Sequence, residues 1–260
     1  MAVPFAVAFD AGYDGPLRLS ITLGPWQHAS DGDQLLALIE GLALLADRGA
    51  FVRSAVHPKD ARMRLLSSAH SAPHRYVWDY DARGVDARFA QIVRNQLVMY
   101  TAVCCPVQHA LLEMLQPPRP ATPAALAPLD ALAVALGKVY PERFGKLRFV
   151  VEEDFAGDVA SGRRAEIELV EAFDDALLAT LRDWFDLWAR TLDCAYSASE
   201  PRLAEGKCAI WDYDTDLVDD VTIETTLGYW GAPECAWHSY ANLVARVDAE
   251  LSPVHALRIY

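Results

Sequence analysis

The sequence predicts an α+β protein built from two related modules, each running roughly ββα(β)ββα, set side by side with pseudo-twofold symmetry. Three observations carry this. The tract Val77-Trp78-Asp79-Tyr80-Asp81 recurs as Ile210-Trp211-Asp212-Tyr213-Asp214, 133 positions later. In each half an alternating strand pattern precedes a long helical one. Between the halves, Gln116 to Pro128 holds five prolines, the composition of a linker. The modules are therefore residues 1–116 and 145–260, joined by a Pro-rich linker and short helix over 117–144. Neither half alternates strand and helix strictly, as a Rossmann fold or a β/α barrel requires.

The elements follow in order. Each half opens with a hairpin strand, Phe5 to Phe9 and Leu147 to Val151, and continues with an alternating strand, Leu19-Ser20-Ile21-Thr22-Leu23 and Ala165-Glu166-Ile167-Glu168-Leu169. In the first half, Ser30-Asp31-Gly32-Asp33 signals a helix start, and Leu35, Leu38, Ile39, Leu42 and Leu45 keep helical spacing until Gly49. In the second, Asp174 and Asp175 open a helix striped by Leu177, Leu178, Leu181, Phe185 and Trp188. After each WDYD tract a β-rich stretch is expected, Phe89 to Tyr100 and Val221 to Trp230, then a shorter helix, Val107 to Leu115 and Trp237 to Val247. On this alignment the first half carries about 13 extra residues within Val52 to His74, a basic loop holding Arg53, Lys59, Arg62 and Arg64 with His57, His70 and His74. Leu129 to Val139 reads as a short apolar helix after the linker.

Composition excludes several classes. With 53% hydrophobic and 23% charged residues over 260 positions, the chain is neither disordered nor collagenous and is long enough to bury a core without metals or disulfides. The five cysteines are odd in number and form no CxxC pair, and no Lys or Arg precedes Arg18, so a reduced, cytoplasmic, bacterial-type setting is expected rather than secretion. The apolar run Leu35 to Ala46, broken by Glu40, is too short to span a membrane. A formal charge of -13 disfavours nucleic acid and anionic lipid and favours a basic partner. Residues 1–116 contribute -1, the linker +1 and residues 145–260 the remaining -13.

Each candidate chemistry competes with a purely structural role for the same residues. The run Cys208-Ala209-Ile210-Trp211 followed by Asp212-Tyr213-Asp214-Thr215 resembles the DxDxT motif of haloacid-dehalogenase-type phosphatases, which implies Asp212 as nucleophile and Asp214 as general acid. Only 45 residues follow Thr215, they contain no lysine, and Ala82 replaces the threonine in the first copy, so the resemblance ends with the motif. Asp212, Asp214, Asp216, Asp219 and Asp220 fail the calcium-loop spacing, because Leu217 and Ile223 stand where Gly and Glu are needed. Cys235 with His238, and Cys105 with His109, lack the second ligand pair of a zinc site, and Cys104 or Cys105 with His109 does not by itself make a catalytic thiol site. No phosphate loop, GxGxxG, GxSxG or HExxH occurs.

No cofactor or metal is therefore expected. The class that remains is a non-catalytic, acidic protein-binding protein, and the role that needs only binding is a bacterial immunity protein, an antitoxin-type antidote that neutralises a basic toxin domain. Its contact surface is expected at Asp212, Asp214, Asp216, Asp219 and Asp220 together with Glu152, Glu153 and Asp154, with Trp230 and Trp237 as exposed aromatic anchors. A homodimer is compatible with this reading. The alternatives are a metal-dependent hydrolase or phosphatase using Asp212 and Asp214, and a sensor module holding a small ligand between its halves.

Overall fold

A computed structural model of the chain describes residues 5–8, 12–25, 30–70, 74–116, 127–128, 143–154, 162–191, 210–229 and 236–260. The first module runs β1 (Phe5–Ala8), β2 (Gly15–Leu23), α1 (Asp31–Asp47), β3 (Arg62–His70), β4 (Arg75–Arg83), α2 (Phe89–Val103) and β5 (Val107–Met114). The second runs β7 (Val150–Glu153), β8 (Arg163–Leu169), α3 (Asp175–Thr191), β9 (Ile210–Leu217), β10 (Thr222–Tyr229), α4 (Trp237–Glu250) and β11 (Val254–Ile259). A two-residue strand, β6 (Ala127–Pro128), lies against β1. The fold is α+β.

The two sheets share one topology. The first is ordered β3-β4-β2-β5-β1, with β6 added at its edge, and the second β9-β10-β8-β11-β7. In each, the second to fifth strands make the antiparallel βαββαβ arrangement called ferredoxin-like, and the module's first strand pairs in parallel with its last. The opening strands are thus not hairpin strands: β1 pairs with β5 and not with β2. Corresponding elements begin 144 to 148 residues apart throughout. Such agreement in order, direction and spacing is consistent with a duplication.

The alignment through the WDYD tracts is overturned. Val77–Asp81 lies on β4, whose counterpart is β10, whereas Ile210–Asp214 lies on β9, whose counterpart is β3. With the near-constant spacing there is no 13-residue insertion, and most of the expected basic loop is the turn Pro58–Asp60 and strand β3. Phe89 to Tyr100 is helix α2 and not β-rich, and Val107 to Leu115 is strand β5 and not a helix. The expected helix at Leu129 to Val139 lies outside the described residues.

Burial explains the layering. On β2, Leu17, Leu19, Ile21 and Leu23 are buried while Arg18, Ser20 and Thr22 are partly exposed, so one sheet face takes the helices and the other faces solvent. The same alternation holds for Ala165, Ile167 and Leu169 against Arg164, Glu166 and Glu168 on β8. The helices lie between the two sheets, and side chains of both modules join in one hydrophobic core. Helix α2 is buried on most of its circumference, from Phe89, Ile92 and Val93 to Gln96 and Tyr100.

The modules meet through reciprocal contacts. Gln96 of α2 donates to the carbonyl of Thr191, at the end of α3 (2.6 Å), and Asn242 of α4 donates to the carbonyl of Ala50, just beyond α1 (3.2 Å). Each amide thus satisfies a carbonyl at the C-terminal end of the other module's first helix, the exchange a pseudo-twofold pair makes. Asn242 also accepts the Phe144 N–H at 2.8 Å. Gly41 allows α1 to approach closely, since a Cβ there would stand 2.7 Å from Thr191 Oγ1. Gly49, at φ +86°, turns the chain out of α1 where a Cβ would meet the Pro58 carbonyl oxygen at 2.6 Å. Among the described residues, no helix is long and apolar enough to cross a membrane.

Candidate functional site

The outward face of the second sheet gathers acidic side chains from four of its five strands, and the fifth, β11, contributes Arg258. Cross-strand partners share a face, and the register places Glu152 of β7 opposite Arg258 of β11, Arg258 opposite Glu166 of β8, Glu166 opposite Glu224 of β10, and Glu224 opposite Asp216 of β9. This transverse row crosses four strand spacings, about 19 Å at about 4.8 Å each. Glu168 and Asp214 extend the face on either side of it, with Asp214 opposite Thr226 and Thr226 opposite Arg164.

The few cations on this face are already engaged. The Arg258 guanidinium reaches Glu168 at 2.7 Å, Glu152 at 3.1 Å and Glu166 at 4.0 Å, and its pKa is raised chiefly by the hydrogen bond to Glu168. Arg164 lies 3.5 Å from Glu224, and Arg182 of α3 bonds Asp216 at 2.6 Å while donating to the Thr215 carbonyl. The Tyr260 hydroxyl donates to Glu166, and burial followed by that carboxylate pushes its pKa up to about 12. Six carboxylates, Glu152, Glu166, Glu168, Glu224, Asp214 and Asp216, therefore stand against three guanidiniums, those of Arg164 and Arg258 on the face and of Arg182 reaching it from α3. Like charges opposed at Glu166 and Glu224 oppose folding, so this pattern costs stability that a neutral pair would keep.

The structure brings together only part of the surface expected from sequence. Glu152, Asp214 and Asp216 lie on the acidic face, the first at one sheet edge and the others at the opposite edge. Glu153 alternates to the other side of β7 and bonds Arg143 at 2.6 Å, and Asp154 follows the strand, with its N–H on the Ile259 carbonyl. Asp219 shapes the β9–β10 turn: its carboxylate accepts the N–H groups of Val221 and Thr222, and these bonds, that of Val221 foremost, hold its pKa below the ordinary carboxylate value. Asp220 is exposed, and its carbonyl accepts the Phe173 N–H.

Trp237 is not an exposed anchor. It is 2% exposed and packs against Trp188 and Tyr240, because the α4 N-terminus turns its first residue into the core. Trp230 and the side chain of Asp212 lie outside the described residues. Glu166, Glu168, Glu224, Arg258 and Tyr260 were missed by sequence reasoning, although alternation in Arg163–Leu169 and Thr222–Tyr229 already sent the three glutamates to one face.

Of the cysteine–histidine pairs, that of Cys235 with His238 cannot be placed because Cys235 lies outside the described residues. Cys105 is buried inside, 3.3 Å from the Tyr100 hydroxyl, while His109 lies on strand β5 facing out, so the two make no dyad. Cys104 donates to Gln34 at 2.7 Å, and burial pushes both thiols up in pKa, away from the nucleophilic thiolate. Among the described residues, no group of three or more His, Cys, Asp or Glu is placed to hold a metal ion.

No family model matches the chain, and no curated protein matches it. Three solved structures are similar at low TM-scores. A microcompartments protein from Desulfitobacterium hafniense is 11% identical, with 94% of this chain and 93% of that one covered and a TM-score of 0.20. The ferredoxin protease FusC, in complex with Arabidopsis ferredoxin, is 9% identical over 99% of this chain and 49% of that one, with a TM-score of 0.25. A conserved protein from Enterococcus faecalis is 8% identical over 95% and 78%, with a TM-score of 0.18. None of these likenesses carries an argument about fold or activity.

Proposed function

We propose that the chain is a non-catalytic binding protein that takes a basic protein partner on the outward face of its second sheet. The observation that supports this is the row Glu152, Arg258, Glu166, Glu224 and Asp216, flanked by Glu168 and Asp214. Carboxylates are acceptors only, so their natural complements are guanidinium and ammonium groups, and a sheet face about 19 Å across is wide enough for several at once. A mixed sheet, antiparallel over four of its five strands, with one face on helices and one in solvent supplies a rigid platform without further ordering cost. In its finer form the reading is a bacterial, cytoplasmic immunity protein whose acidic face masks a basic toxin domain.

The test is co-expression with the product of the adjacent gene, then purification at low and high salt. A salt-sensitive stoichiometric complex that Glu166→Lys with Glu224→Lys abolishes supports the docking face. Growth protection lost with the same double variant supports the antidote role. A complex indifferent to charge reversal refutes the assigned face, and a complex without growth protection refutes the antidote role alone.

A further inference from the structure

The opposite charge is concentrated where the two modules meet. A cavity of about 330 Å³ is lined there by Asp47 at the end of α1, Lys59 in the turn after it, Arg62 and Arg64 on β3, and Arg246 and Glu250 on α4. Both carboxylates are engaged: Asp47 Oδ1 accepts the Met63 N–H at 2.9 Å, and Glu250 Oε2 accepts from Arg246 Nε at 2.6 Å. Arg246 is fixed in place as well, its Nη1 donating to the carbonyls of Asp47, Pro58 and Ala61 at 2.8, 3.1 and 3.4 Å. Lys59, Arg62 and Arg64 are exposed, and among the described residues no carboxylate forms an ion pair with any of them. Three unpaired cations beside a fixed fourth, in a chain of net charge -13, make a local site of reversed potential.

We infer that this junction cavity binds a small phosphate-bearing anion. Guanidinium forks match phosphate oxygens in two-point geometry, and an ammonium beside them supplies a further point charge. The volume is at the lower end of the range for small-molecule sites, about 300–1,000 Å³, which suits a pyrophosphate or a nucleoside monophosphate. Lys59, Arg62 and Arg64 come from the first module and Arg246 from the second, so the ligand ties α4 to β3 and stabilises the pair of modules as a unit.

The experiment is calorimetric titration and thermal unfolding of the full chain with inorganic pyrophosphate and with AMP, using citrate and sulfate at matched ionic strength as comparators. Saturable binding of pyrophosphate or AMP is expected, with a Tm that rises with ligand concentration. Lys59→Ala, Arg62→Ala and Arg64→Ala should each weaken it about tenfold, the loss of one charge-assisted contact. These exposed sites leave the ligand-free Tm unchanged, whereas Arg246→Ala disturbs three carbonyls and is not a clean test. Absence of saturable binding, binding that all three variants leave intact, or sulfate or citrate binding as tightly as the phosphates would each overturn the assignment. Glu166→Lys with Glu224→Lys leaves this binding unchanged, so the junction site and the acidic face are tested separately.

Discussion

The outward faces of the two sheets occupy corresponding places in one topology and carry opposite designs. In the first sheet the central position is Arg18, opposite Asp79 on one neighbour and Glu113 on the other, and its guanidinium grips Asp79 at 2.7 and 2.9 Å. In the second, Glu166 holds the matching position, opposite Glu224 and Arg258. Arg64 and Arg75 add further positive charge to the first face, and Glu168, Asp214 and Asp216 further negative charge to the second. The inward faces, by contrast, share one apolar core. Packing constrains the inside of such a module closely, while the solvated face is free to carry either sign, and there the two halves differ.

The sharpest way to break this comparison is to damage one module's interior and watch the other. Trp188, buried against Trp237 and Tyr240 with its indole N–H on Ser239, should cost about 3–5 kcal/mol as Trp188→Ala. Far-UV circular dichroism and tryptophan fluorescence should then report one coincident transition at a lower midpoint. Two separated transitions would show that the modules do not share their core.

The reciprocal amides come next. Replacing Gln96 or Asn242 with Leu leaves a buried carbonyl unpaired and should destabilise by about 1–3 kcal/mol, with Asn242 the costlier because it also holds Phe144. Denaturant midpoints decide this, and a neutral Gln96→Leu would mean that the exchange between modules is one-sided.

Association rates sharpen the contrast of faces. With a deca-arginine peptide at low salt, Glu166→Lys with Glu224→Lys should slow binding about tenfold or more, and 0.5 M salt should erase the difference between variant and parent. Arg18→Glu adds an acid to the first sheet and should leave the rate nearly unchanged. Equal sensitivity at both faces, measured by stopped-flow fluorescence, would place the attraction in net charge and not in the row.

The smallest effect is acid dependence at the first face. Arg18 lowers the Asp79 pKa chiefly by its hydrogen bond, so the folded value lies below the unfolded one of about 3.9. The stabilisation is therefore present above that unfolded value and is lost as pH falls through the folded value. Because Arg18 is 39% exposed, the contribution at neutral pH is discounted to less than about 1 kcal/mol. Arg18→Ala should remove it and flatten the stability profile below about pH 4.

Several elements were legible in the chain because their two sides differ. Strands β2 and β8 alternate, and helices α1 and α3 carry an apolar stripe beside a polar one, so periodicity shows. Helix α2 hides because it is buried on most sides: Phe89, Ile92, Val93, Leu97 and Val98 all face protein, and their β-branched and aromatic character imitates a strand. Strand β5 hides for a related reason, since Val107, Ala110, Leu111 and Met114 also fit helical spacing and only pairing with β1 and β2 decides the matter. The WDYD tracts mislead because a short alternating motif specifies a strand and not which strand.

From the residues alone came the α+β class, two modules and the concentration of negative charge in the second, since periodicity, composition and charge are properties of local sequence. Only the tertiary structure decided which strands lie side by side, and so which carboxylates form one row. It drew Glu152 and Asp216 from opposite sheet edges into one row through Glu166 and Glu224, turned Trp237 inward, and set Lys59, Arg62 and Arg64 beside Arg246. The reason is register: strand pairing joins residues far apart in the chain, and a shift of one residue would send every side chain to the other face.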